Sequence, residues 1–99
     1  MFDVERFSEE IGELCKKYEI KRLEFFGSAL TDEFNEGSDI DCLIEFEKDG
    51  GNYFHRFFDL KYALEELFGR NVDLVVGSAI KNPYFQAAVN RSRQVIYAA

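Results

Sequence analysis

Apolar and charged positions alternate along the chain in two distinct rhythms. Over the first eighteen residues the period is helical. Phe7, Ile11, Leu14 and Tyr18 recur at three- and four-residue steps with charge between them, which predicts a helix over Phe2 to Tyr18. From Lys21 to Phe26 the period shortens to two, with Leu23 and Phe25 on one face and Glu24 and Phe26 on the other, which predicts a first strand. Residues 27–38 read as a loop with one helical turn after Ser28. Asp39 to Phe46 predicts a second strand, with Ile40, Cys42, Ile44 and Phe46 on its apolar face. Lys48-Asp49-Gly50-Gly51-Asn52 predicts a turn, and Tyr53 to Phe68 a long helix closed by Gly69. Val72 to Val76 predicts a third strand, Pro83 to Asn90 a short helix with proline in its first turn, and Gln94 to Tyr97 a fourth short strand.

Strand, long helix, strand is a crossover unit, so the second and third strands should be parallel. The whole reads as one α/β (α+β) domain over residues 1–99. It is a small mixed sheet with helices packed on one face and the opposite face left open for substrate. In a parallel pair, Asp73 near the start of the third strand falls beside Asp39 and Asp41 at the start of the second.

Those residues carry the candidate chemistry. Asp39 and Asp41 stand two apart on a strand and so point the same way. Two adjacent carboxylates repel unless a cation lies between them, and hard cations such as Mg²⁺ take oxygen ligands, commonly carboxylates together with substrate phosphates. A polar strand entrance would account for Asp39, but Asp41 lies one step deeper. Asp73, set among Val72, Leu74 and Val75, is a poor strand former there and is best explained as a third carboxylate joining the pair. Gly27-Ser28 ends the first strand. Glycine admits close backbone approach, and N–H groups at a loop or helix start bind anions. For this turn to reach the same site, the first strand must run antiparallel to the second.

Gly27-Ser28, ten residues, then Asp39-Ile40-Asp41 resembles the signature of the DNA polymerase beta-like nucleotidyltransferase superfamily. The short chain points within it to the minimal nucleotidyltransferases. The resemblance covers roughly Lys21 to Val76, with a weaker echo from Asn82 to Ala99. It implies the polymerase beta-like nucleotidyltransferase fold and transfer of a nucleoside monophosphate, AMP from ATP, with two Mg²⁺ ions. Asp39 and Asp41 would hold the ions, Asp73 would complete the second metal site and help deprotonate the acceptor hydroxyl, and Gly27 and Ser28 would hold the terminal phosphates. It also implies a partner: a helical HEPN-like toxin to which such a protein is the antitoxin. Many members carry a basic residue a few positions after Gly-Ser, whereas Ala29-Leu30-Thr31-Asp32-Glu33-Phe34 offers none. That departure leaves room for a non-catalytic binding antitoxin. A small-molecule enzyme of the aminoglycoside nucleotidyltransferase type is a third reading, although those enzymes carry a further helical domain.

Composition narrows the class. Hydrophobic residues make up 46% of the chain and eleven are Phe, which argues for a folded domain. Twelve basic against nineteen acidic residues give a net charge of −7. That balance is wrong for direct nucleic-acid binding and suits recruitment of divalent cations or a basic partner. Cys15 and Cys42 read as reduced core thiols rather than a disulfide or metal pair. His55 is the only histidine, which excludes histidine metal clusters and Ser-His-Asp triads, and it is expected on the exposed side of its helix. Tyr53, Phe54, Phe57, Phe58 and Tyr62 exceed one helical stripe, so part of this group is expected as an exposed patch for a partner or a second copy. Glu45, Glu47, Glu65 and Glu66 are expected as solvated surface. No signal peptide or membrane-length apolar run is visible, and a cytoplasmic protein is expected.

Overall fold

In the computed structural model, residues 2–35, 37–47 and 51–99 are described. Helix α1 spans Ser8–Lys17, α2 Tyr53–Phe68 and α3 Pro83–Arg91; strands β1 to β4 span Ile20–Phe26, Ile40–Phe46, Val72–Val76 and Arg93–Ala98. The strands form one sheet in the order β3-β2-β1-β4. As expected, β2 and β3 are parallel and β1 is antiparallel to β2. β4 adds antiparallel to the free side of β1. This topology brings the end of β1 and the starts of β2, β3 and β4 to one edge, where Phe26 is opposite both Asp41 and Arg93.

The alternating pattern sorts side chains as the sequence predicts. Leu23 and Phe25 of β1 and Ile40, Cys42 and Ile44 of β2 are all fully buried against α1 and α2, which contribute Ile11, Cys15, Leu60, Leu64 and Phe68. Burying a Leu or Ile side chain contributes about 1.5–3 kcal/mol, so this layer dominates stability. Both cysteines are free and buried, and burial pushes the Cys15 thiol up to about 12. Gly69 ends α2 in the left-handed conformation at φ 67° and donates its N–H to Glu65 O at 2.9 Å. His55 is exposed.

Four expectations need correction. The N-terminal helix does not begin at Phe2. Val4–Phe7 is a tighter single turn, and Phe2 instead donates its N–H to Ala29 O at 2.9 Å and stacks its ring on Phe7, with Phe25, Phe34 and Phe68 around it. These tertiary contacts outweigh the helical pattern of an exposed chain end. Not all helices lie on one face. α3 packs on the other side, where Val89 meets Phe26 and Leu43, with Val75 and Ile80 beside them. Amphipathic spacing specifies that a helix buries a stripe, not which side of a sheet receives it. Glu65 is not merely solvated: it accepts the N–H of Val72 at 3.0 Å and pairs with Lys61 at 3.2 Å. The Val72 bond holds its carboxyl below the ordinary range. β1 begins one residue early, at Ile20, because an irregularity in the ladder between Ile20 and Arg22 returns Ile20 to the buried face. Of the predicted turn at 48–52, residues 48–50 lie outside the described residues, and Gly51 and Asn52 are both left-handed. Among the described residues no helix is long and apolar enough to cross a membrane.

Candidate active site

Gly27 follows β1 directly and takes φ 74°, a conformation that costs an L side chain about 1–2 kcal/mol. Space reinforces the choice: a Cβ at this position would lie 2.6 Å from Asp41 Oδ2. The backbone of the turn therefore abuts the Asp41 carboxylate, and a side chain here would be strained at φ 74° and would have to displace that carboxylate oxygen. Gly27 N–H donates to Ser92 O at 3.2 Å, which ties the turn to the start of β4. A single tight turn over Gly27–Leu30 follows, closed by Thr31, whose N–H and hydroxyl both donate to Ser28 O at 3.0 and 3.1 Å. Ser28 is half-buried in this turn.

The parallel register sets Asp41 directly opposite Asp73 on β3. Their neighbours Ile40, Cys42, Val72 and Leu74 are buried on the helix-covered face, so both carboxylates lie on the other face. Asp73 and Asp39 are exposed, and Asp41 is half-buried. Burial first, then the charges of Asp73 and Asp39, raise the Asp41 carboxyl from 3.8 to about 6. The sheet thus assembles three carboxylates and the glycine turn at one edge. Among the described residues no three His, Cys, Asp or Glu side chains gather closely enough to form a ready metal-binding group. Carboxylates alone repel, and a spread arrangement is the lower in energy. The donor set still fits a hard divalent cation: all ligands are anionic oxygens, and a cation would relieve the strain that raises Asp41.

The loop between Ser28 and Asp39 has an anchor that the sequence did not disclose. Arg70 donates from Nη1 to Asn35 O at 2.9 Å and to Ser38 O at 3.2 Å, with its guanidinium 4.4 Å from the Phe34 ring centre. Ser38 immediately precedes Asp39, and Ile40 N–H donates to Asn71 O at 3.0 Å. Arg70 and Asn71 therefore tie the approach to Asp39 to the approach to Asp73. A second unforeseen feature is Glu24, only 2% exposed, which accepts Arg93 Nη2 at 2.6 Å and Nε at 3.0 Å and pairs with Arg22 at 3.3 Å. Arg93 also donates to Asn90 Oδ1 at 2.7 Å. Two bonds from Arg93 hold the Glu24 carboxyl below its usual range. Along the sequence Glu24 stands with Phe26 on the strand face expected to be open, and nothing local marks Arg93 or Arg70 as a long-range partner.

Comparison with known proteins places the chain in a family. Residues 7–96 match the family described as nucleotidyltransferase domain. A protein of Methanocaldococcus jannaschii provisionally named a protein adenylyltransferase is 42% identical over 76 residues, 77% of this chain and 76% of its own length. Protein adenylyltransferase MntA of Thermococcus cleftensis is 33% identical over 85 residues, covering 86% and 81%. A solved structure provisionally described as a minimal nucleotidyltransferase superposes with a TM-score of 0.75 at 32% identity, over 92% of this chain and 90% of that one. A chain from a complex of tri-AMPylated Shewanella oneidensis HEPN toxin with MNT antitoxin superposes with a TM-score of 0.67 at 16% identity, over 98% and 74%, a likeness of fold.

Proposed function

The chain belongs to the nucleotidyltransferase domain family, in its minimal branch, and from that premise we propose that it is a Mg²⁺-dependent protein adenylyltransferase that moves AMP from ATP to a hydroxyl of a partner, a HEPN-type toxin that it neutralises. The observation that carries this reading is the placement of Asp41 opposite Asp73 on one face, with Gly27 backed against Asp41. Relatives named protein adenylyltransferase and the fold shared with an MNT antitoxin support the choice of AMP and of a protein acceptor. Asp39, Asp41 and Asp73 would hold the metal, which when bound supplies Lewis-acid stabilisation of the attacking and leaving oxygens. The Ser28 hydroxyl and the Ser28 N–H bind and orient the terminal phosphates, with Gly27, whose own N–H is engaged by Ser92 O, setting the course of the turn. The acceptor hydroxyl oxygen forms a bond to the α-phosphorus, the bond from that phosphorus to its bridging oxygen breaks, and pyrophosphate leaves. Asp73, the more exposed member of the opposed pair, takes the hydroxyl proton.

One observation favours a second reading. The loop after Gly27 carries no basic residue, and Arg93, the arginine aligned with the end of β1, is engaged by Glu24 and Asn90. A chain that binds and blocks its partner without modifying it would need no more. Incubating the chain with ATP, Mg²⁺ and the small helical product of an adjacent reading frame, then weighing that product, separates the two. A gain of AMP units that disappears with Asp41→Asn is the expected result. A partner that is bound and inhibited at unchanged mass would establish the binding reading instead.

A further inference from the structure

Helices α1 and α2 lie side by side over the sheet, and their outward sides leave a groove of about 390 Å³ between them. Its floor is apolar: Leu14 from α1, and Ala63 and Leu67 from α2, all half-buried. Its rim is acidic: Glu10, Glu13 and Glu66, all exposed. Among the described residues none of these three glutamates takes part in an ion pair, although Glu24 and Glu65 both do. The fold therefore leaves three uncompensated negative charges around an apolar floor.

That combination selects an occupant. Covering carboxylates with apolar surface is costly unless opposite charges arrive with it. A second copy docked on the same groove would set Glu10, Glu13 and Glu66 against their own counterparts. An anionic membrane surface or a nucleic acid would be repelled in the same way. A channel between two helices accepts a third helix by the packing of side-chain ridges into grooves. We infer that the α1–α2 groove docks a partner's amphipathic helix, whose apolar ridge meets Leu14, Ala63 and Leu67 and whose flanking lysines or arginines pair with Glu10, Glu13 and Glu66. The groove is on the sheet face opposite Asp41 and Asp73, so docking leaves the carboxylate edge open. The inference goes beyond the transfer reading and does not depend on it.

The probe is a labelled synthetic helical peptide with a leucine stripe flanked by lysines, titrated with the full chain by fluorescence anisotropy. Two controls replace the leucines with serines or the lysines with glutamates. The leucine–lysine peptide should bind, more weakly at higher salt, and both controls should be weaker on the order of tenfold or more. Glu10→Gln, Glu13→Gln and Glu66→Gln combined should cost a similar factor, and so should Ala63→Phe, which fills the floor. The triple glutamine variant carries the test if Ala63→Phe does not fold. Phe54→Ser, in the first turn of α2 well before Ala63 and with its side chain 71% exposed, should leave binding unchanged. Equal binding of the serine–lysine peptide would mean a merely electrostatic association and overturn the proposal. So would parental affinity in the triple variant, or loss of binding in the Phe54 variant alone.

Discussion

Asp41 is held where folding alone would not choose a charge. Its carboxyl is raised from 3.8 to about 6, by burial first and then by Asp73 and Asp39. Between those two values the folded chain keeps a proton that the unfolded chain has released. The stability contributed by the protonated form is therefore complete below pH 3.8, is lost as pH rises through about 6, and stays lost above. Asp41→Asn mimics the protonated state. In EDTA it should melt above the parent near neutral pH and with the parent below pH 3.8. Thermal scans across this range check it, and coincident melting at neutral pH would mean that Asp41 is not strained. Gly27 makes the complementary case, a residue selected by what it lacks. Gly27→Ala must adopt φ 74° and push a Cβ toward Asp41 Oδ2. It should cost about 1–2 kcal/mol in urea unfolding, and weaken Mg²⁺-ATP binding beyond that because the turn moves off the carboxylate. Parental affinity by calorimetry would remove the turn from the phosphate site.

Elements were legible where local chemistry punctuates them. Gly69 closes α2 and Pro83 opens α3, and both helices start where the pattern places them. Asn82 adds the cap that the pattern left unread, accepting from the N–H groups of Tyr84 and Phe85. The spacing from Gly27 to Asp41 was legible because each partner is fixed by a strand end. What sequence could not disclose lies between distant elements. Glu24 and Arg93 are 69 residues apart, and Arg70 reaches back 35 residues to Asn35. Period and propensity act over a turn or two and carry no information at such separations. Arg70 is where this matters most, since the loop it holds leads into Asp39. Arg70→Ala should lower stability by only about 1–2 kcal/mol. It should weaken Mg²⁺-ATP binding on the order of tenfold, because Asp39 loses its tether to the start of β3. Arg70→Lys, which can reach one carbonyl but cannot stack its plane on Phe34, should recover part of the affinity. A purely structural role would shift unfolding and leave the affinity of the folded fraction as it was.

Over the whole molecule, the charge of −7 sets carboxylates against one another both in general and at one place in particular. General repulsion is screened by any salt, because the Debye length shortens with ionic strength whatever the ion. The edge holding Asp39, Asp41 and Asp73 differs, since a divalent ion that binds the folded chain there and not the unfolded one adds stability by mass action. The two contributions separate at matched ionic strength. NaCl should raise the melting temperature modestly, and MgCl₂ should raise it further. The excess should vanish in a chain carrying both Asp39→Asn and Asp41→Asn, while the NaCl response of that variant persists. Glu10, Glu13 and Glu66 are the control: they are acidic and exposed, yet lie on the opposite side of the sheet. Their glutamine variants should keep the Mg²⁺ excess in full. An excess that followed total charge, falling equally for either set, would mean that the cation responds to the acidity of the surface and that the carboxylate edge holds no ion of its own.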